Sequence, residues 1–213
     1  AHPECRMRTI KELHYFSMTR PQHFQNAERG VAARMVQLTG RLAGADAPRR
    51  AVLQRQLADL ADWRAVLAKG DIDLAAYRSC LTKDLGAARL VGDVTPAYAL
   101  LPEDRLRGLA DVGRDTRFVY LIRDPLARLW SHVRMIAQRT VPDDFADESA
   151  AILNRILSDD LSGEGQGIVA RGNYAEVLAK LRAALPQDRL LVQFQEDMLT
   201  EAGLACLSDF LGL

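Results

Sequence analysis

Four short polar clusters hold the side chains of this chain best suited to chemistry. They are Lys11-Glu12-Leu13-His14-Tyr15-Phe16, Gly92-Asp93-Val94-Thr95-Pro96-Ala97-Tyr98, Arg123-Asp124-Pro125 and Gln195-Glu196-Asp197. The third has the clearest mechanics. Pro125 suits the first position of a helix, where its missing N–H costs nothing, and Asp124 suits the N-cap. A helix N-terminus offers free N–H groups and a favourable dipole to an anion. Arg123 adds a planar, permanently charged fork that matches phosphate, and Ser131, about two turns on, can bring a hydroxyl to the same ligand. The plainer alternative is a simple helix cap with Arg123 in a surface ion pair. Glu12 stands beside Leu13, Tyr15 and Phe16, so it is expected to be desolvated. That would raise its pKa and make it a better proton acceptor near neutral pH. The plainer alternative is a solvated loop carboxylate paired with Lys11. His14 is a second acid/base candidate, or a hydrogen-bonded structural histidine.

Each cluster stands at the end of a β-like segment, at 7–10, 90–94, 118–122 and 190–194. The last three are nearly continuous apolar runs, the pattern of strands covered on both faces. Between them the apolar spacing is helical. Leu126, Leu129, Trp130, Val133 and Ile136 share one helix face, and Tyr174, Val177, Leu178, Leu181 and Leu185 another. Val31, Met35, Leu38 and Leu42, then Leu53, Leu57, Leu60 and Leu67, predict an Arg-rich helical hairpin that turns at 43–48. A further helix is predicted at 74–85. Strands alternating with helices predict an α/β fold, a parallel sheet flanked by helices, with a helical insert at about 25–85 in a single domain spanning 1–213. In such a sheet ligands bind beyond the carboxyl ends of the strands, where the four clusters would meet.

Composition narrows the function classes. The 213 residues are 48% hydrophobic and 26% charged, which is ordinary for a globular chain and unlike a disordered one. The formal net charge is zero, so a general nucleic-acid binder is not expected. No apolar run reaches the roughly 18 residues of a membrane span. Cys5, Cys80 and Cys206 fit neither a zinc motif nor a disulfide framework, which suits thiols in a reducing, cytoplasmic compartment. Lysines are rare beside arginines, as in proteins from GC-rich, bacterial genomes.

The order of the clusters resembles the successive motifs of sulfotransferases that use 3′-phosphoadenosine 5′-phosphosulfate (PAPS), above all the glycan-type group and its bacterial relatives. Lys11–Phe16, Gly92–Tyr98 and Leu121-Ile122-Arg123-Asp124-Pro125-Leu126-Ala127-Arg128-Leu129-Trp130-Ser131-His132 follow one another as those motifs do. Arg171-Gly172-Asn173-Tyr174, Glu196-Asp197 and Phe210-Leu211-Gly212-Leu213 continue the series. The resemblance implies a P-loop-like sulfotransferase fold and transfer of a sulfuryl group from PAPS to an acceptor hydroxyl or amine, with a carbohydrate or small molecule as acceptor. Adenosine 3′,5′-bisphosphate would be the product, and no metal is expected. Glu12 matches the family's catalytic base, and Arg123 with Ser131 matches the pair that holds the cofactor 3′-phosphate. Asp93-Val94 stands where many glycan-type members have Glu-Lys. The family carries a Gly-rich loop with a lysine before the first motif, so a strand and such a loop are expected upstream of Ala1. It often adds a further cofactor-binding loop beyond the point matched by Leu213. The competing readings are a P-loop kinase-like phosphotransferase and a non-catalytic binding module that retains the fold.

Overall fold

Strand β1 (Cys5–Met7) pairs in parallel with β2 (Leu90–Gly92), placing Cys5 opposite Leu90 and Met7 opposite Gly92. The structure is a computed structural model that describes residues 2–158 and 164–213. Strand β1 lies earlier than the predicted 7–10 because Arg8 and Thr9 leave the ladder for a buried carboxylate. Arg8 Nη1 donates to Asp59 Oδ1 (2.6 Å), and the Thr9 amide and hydroxyl both donate to Asp59 Oδ2 (2.8 Å each). Strand β2 stops at Gly92 because Asp93 turns to hydroxyl partners. At Gly92 a Cβ would stand 2.9 Å from Met7 Cε, so the strands meet closely where they end.

The chain divides into two compact units, residues 1–101 with 105–116, and residues 102–104 with 117–213. In the first, α1 (Pro21–Leu42) and α2 (Ala47–Leu67) form the predicted hairpin. Pro21 opens α1, and Asp46 caps α2 by accepting from the Arg49 amide. Leu38, Ala45, Leu53 and Leu60 are buried between the helices, with Ile10, Val31, Met35, Leu42 and Leu57 packed around them. A fully buried leucine contributes about 1.5–3 kcal/mol, which makes this seam the main source of hairpin stability. Helix α3 (Leu74–Thr82) is capped by Asp73 and supplies Tyr77, whose ring stacks on Tyr15 at 5.0 Å. Phe16, Phe24 and Trp63 close around that pair. Helix α4 (Glu103–Ala110) buries Leu106 and Leu109.

In the second unit β3 (Phe118–Ile122) and β4 (Leu190–Phe194) pair in parallel over all five positions, at the predicted bounds. Among the described residues the predicted single sheet is two parallel pairs, β1–β2 and β3–β4. The expectation that β3 is covered on both faces is also corrected. Its burial alternates, and Val119 and Leu121 are each 39% exposed while Ile122 is buried. Helices α5 (Pro125–Thr140), α6 (Phe145–Leu157) and α7 (Glu164–Ala170) enclose Val133, Ile136, Ala137, Ile152 and Ile168. Leu126 and Trp130, predicted for the buried face of α5, are exposed. Helix α8 (Tyr174–Ala184) is capped by Asn173 and buries Val177 and Leu181. The last helices are α9 (Gln195–Met198) and α10 (Glu201–Leu211), and the latter is capped by Thr200. Among the described residues no helix is long and apolar enough to cross a membrane.

Candidate functional site

In the second unit the end of β3 runs straight into α5. Asp124 caps the helix, its Oδ1 accepting from the Ala127 amide at 2.6 Å, and Pro125 occupies the first turn. Around this junction Ile122, Arg123, Asp124, Pro125, Tyr174, Phe194 and Glu196 line an open cleft of about 490 Å³. Half-buried Arg123 forms no hydrogen bond or ion pair with another described residue.

The helix end itself offers less than the sequence suggested. Glu196 Oε1 accepts from the Asp124 amide at 3.3 Å, and the cap takes the Ala127 amide. Pro125 has no N–H, which leaves Leu126 as the amide of the first turn without a partner among the described residues. An anion entering there meets the Glu196 carboxylate, so recognition falls mainly on the Arg123 fork. Ser131 is exposed and stands outside the cleft lining, about 9 Å along the helix axis from Pro125 at 1.5 Å per residue.

Behind Arg123 lies a cationic group that the sequence quoted only as part of longer motifs. Arg128 donates to the Ile168 carbonyl at 2.7 Å and Arg171 to the Gly167 carbonyl at 2.9 Å. The buried Arg128 Nε has no partner in the described structure. Burial, together with Arg171 and Arg123, depresses the Arg128 pKa. Burial beside Arg171, Arg128 and Arg139 likewise holds His132 below its ordinary 6.5, so its imidazole is neutral at pH 7. The Tyr120 hydroxyl is pushed up to about 12, chiefly by burial and then by Tyr174. Gly172 admits this packing, since a Cβ there would lie 2.9 Å from Arg128 Nη2. The available signal was the recurrence of arginine at 123, 128 and 171, but one sequence does not show which of these face one another.

Glu12 and His14 belong to the first unit, and the structure brings them together: His14 Nε2 is 3.2 Å from Glu12 Oε2. Both have positive φ, 53° and 54°, an uncommon conformation for residues with a side chain. The expected desolvation of Glu12 is absent. Leu13, Tyr15 and Phe16 turn into the core, while the Glu12 and His14 side chains are 50% and 46% exposed. The pair is thus a water-accessible contact of carboxylate and imidazole.

The 92–98 cluster proves to be a hydrogen-bonded hub. Asp93 Oδ2 accepts from the Tyr77 and Tyr98 hydroxyls at 2.9 and 2.8 Å, and Oδ1 from Thr95 at 2.7 Å. Burial first, then the Asp93 charge, drives both tyrosine pKa values far upward, so both remain neutral donors. With three hydroxyls on it, the carboxylate serves to hold the end of β2. Among the described residues no group of three or more His, Cys, Asp or Glu side chains is placed to hold a metal ion. Comparison with protein-family models, curated proteins and solved structures finds no match for this chain.

Proposed function

We propose that this chain is a PAPS-dependent sulfotransferase domain of P-loop-like architecture. The observation that carries the reading is the Arg123 guanidinium, unpaired among the described residues, at the mouth of a strand-to-helix junction and backed by Arg128 and Arg171. Together with the ordered motifs of the sequence, it supports recognition of the 3′-phosphate that separates PAPS from ATP. Arg123 binds that phosphate as a fork, while Ser131, which the resemblance pairs with it, stands outside the cleft lining. The acceptor oxygen or nitrogen bonds to sulfur as it gives up its proton, and the sequence resemblance assigns that proton to Glu12, with His14 as the second candidate. The bond from sulfur to the 5′-phosphate oxygen breaks, and adenosine 3′,5′-bisphosphate leaves. The acceptor is a carbohydrate or small molecule.

The test is calorimetric titration with adenosine 3′,5′-bisphosphate and with 5′-AMP. The bisphosphate binds more tightly, and Arg123→Ala removes that advantage, about 1.5–3 kcal/mol for a charge-assisted contact. Equal weakening of both ligands would overturn the assignment. Transfer from PAPS then tests Glu12: Glu12→Gln lowers kcat by about 10²–10⁴-fold and leaves bisphosphate affinity unchanged. Binding without transfer, in parent and variant alike, points instead to a binding module.

A further inference from the structure

The helical hairpin is a sequence feature that the proposed site leaves unused, and its charge is distributed unevenly. Between Arg29 and Arg55 stand six arginines, at 29, 34, 41, 49, 50 and 55, against one acid, Asp46. All seven are exposed, and Asp46 is committed to the α2 cap. None of the arginines is ion-paired with a described carboxylate. Arg29, Arg34 and Arg50 bond only to neutral oxygens, those of Gln25, Asn26, Gln37 and Ala45. Nearer the base the charges cancel: Glu28 pairs with Arg64, and Asp59 and Asp62 with Arg8 and Lys83. A chain of zero net charge therefore carries a strongly positive arm.

Helix geometry concentrates that charge. At 1.5 Å per residue, Arg34, Arg41, Arg49, Arg50 and Arg55 all fall within about 12 Å of the connecting loop. At 100° per residue Arg34 and Arg41 share one side of α1, with Arg29 and the exposed Val36 on the other, while Arg49, Arg50 and Arg55 fan around α2. The result is a blunt tip charged on every side. The loop itself is small, Ala43-Gly44-Ala45-Asp46, and Val36 and Val52 are exposed among the arginines.

We propose that this tip docks reversibly on an anionic lipid surface. Charge around a blunt end suits a plane of opposite charge, whereas a threadlike polyanion is held by a groove or a single stripe. No aromatic residue lies between Phe24 and Trp63 to stack on bases. The aliphatic stems of the arginines and the two valines suit shallow contact at the headgroups. With no tryptophan or phenylalanine to insert, attachment is mainly electrostatic and salt-sensitive.

Full-length chain is sedimented with vesicles of phosphatidylcholine alone and of phosphatidylcholine with about one third phosphatidylglycerol. It binds the second kind only, and about 0.5 M salt releases it. Each arginine contributes about fivefold, so R34Q/R41Q/R55Q binds about 100-fold more weakly, and the lysine triple at the same positions retains binding. Circular dichroism checks that the variants fold, and the single variant Arg41→Gln, fivefold weaker, stands in should the triple fail. Equal binding to neutral vesicles, no binding to either kind, or an unaffected glutamine variant overturns the proposal. Arginine-dependent binding to a short DNA duplex in place of vesicles overturns it in favour of nucleic acid.

Discussion

Asp59 is 2% exposed and holds Arg8 and Thr9, the residues that lead from β1 into the Glu12–His14 segment. Replacing it with asparagine keeps its shape and removes the charge. One amide oxygen then serves either Arg8 or the Thr9 donors, and the NH₂ group faces whichever donor remains. The Thr9 hydroxyl can rotate to accept, but the Thr9 amide and the guanidinium cannot. Arg8 keeps Asp62 at 3.1 Å and the Cys80 carbonyl, so the guanidinium is not abandoned. Removing a partner from a buried ion pair costs about 3–5 kcal/mol. With Asp62 compensating in part, Asp59→Asn should cost about 2–4 kcal/mol at pH 7 by urea denaturation. The same pair predicts a pH dependence. Burial opposes ionisation of Asp59, but the bonds from Thr9 and Arg8 outweigh it and hold the carboxyl below its ordinary 3.8. A depressed folded pKa gives stability that is present above 3.8 and is lost as the pH falls through the folded value. The gap between parent and Asp59→Asn should therefore close below about pH 3.8. A variant within 0.5 kcal/mol of the parent at pH 7, or a gap that persists undiminished to pH 2, would refute the reasoning.

Two further outcomes test the packing around the clusters. Asp93→Ala leaves the Tyr77, Tyr98 and Thr95 hydroxyls without their acceptor and should cost about 3–5 kcal/mol of unfolding free energy, from roughly 1–3 per buried orphan with partial relief by water; a loss under 1 kcal/mol would show the hub to be dispensable. Gly203→Ala would drive a Cβ into the Asp197 carbonyl, a backbone atom that cannot swing aside. It should lower the melting temperature by several degrees, for a cost of about 1–3 kcal/mol, and an unchanged melting curve would show that the α9–α10 corner yields freely.

What the sequence disclosed depended on whether apolar spacing alone decided the outcome. The hairpin and both strands of the second pair, Phe118–Ile122 and Leu190–Phe194, lie where the pattern put them, because their apolar residues set both type and extent. Strand β1 lies earlier than Met7–Ile10 because Arg8 and Thr9 answer to a carboxylate some fifty residues away. The burial of Glu12 was misjudged for a related reason. Its apolar neighbours are adjacent in sequence, but at positive φ the chain turns them inward and leaves the carboxylate in water. Arg123 was legible as a strand-end arginine, whereas the approach of Glu196 to the same helix end is a long-range contact without a local signature.

The register of β1 against β2 carries a consequence for how the chain finds its fold. Cys5 and Leu90 are about 85 residues apart, and joining strand ends across so long a loop is entropically costly and slow. Helices α1 and α2 lie inside that loop and meet through neighbours close in sequence, so they can zip together first. Once Ile10 rests on their seam, the residues after β1 are already anchored, and the free chain left to close is the much shorter run from α2 to β2. Loop length thus favours assembly of the hairpin before the strand pair, with the Arg8–Asp59 bond joining the two.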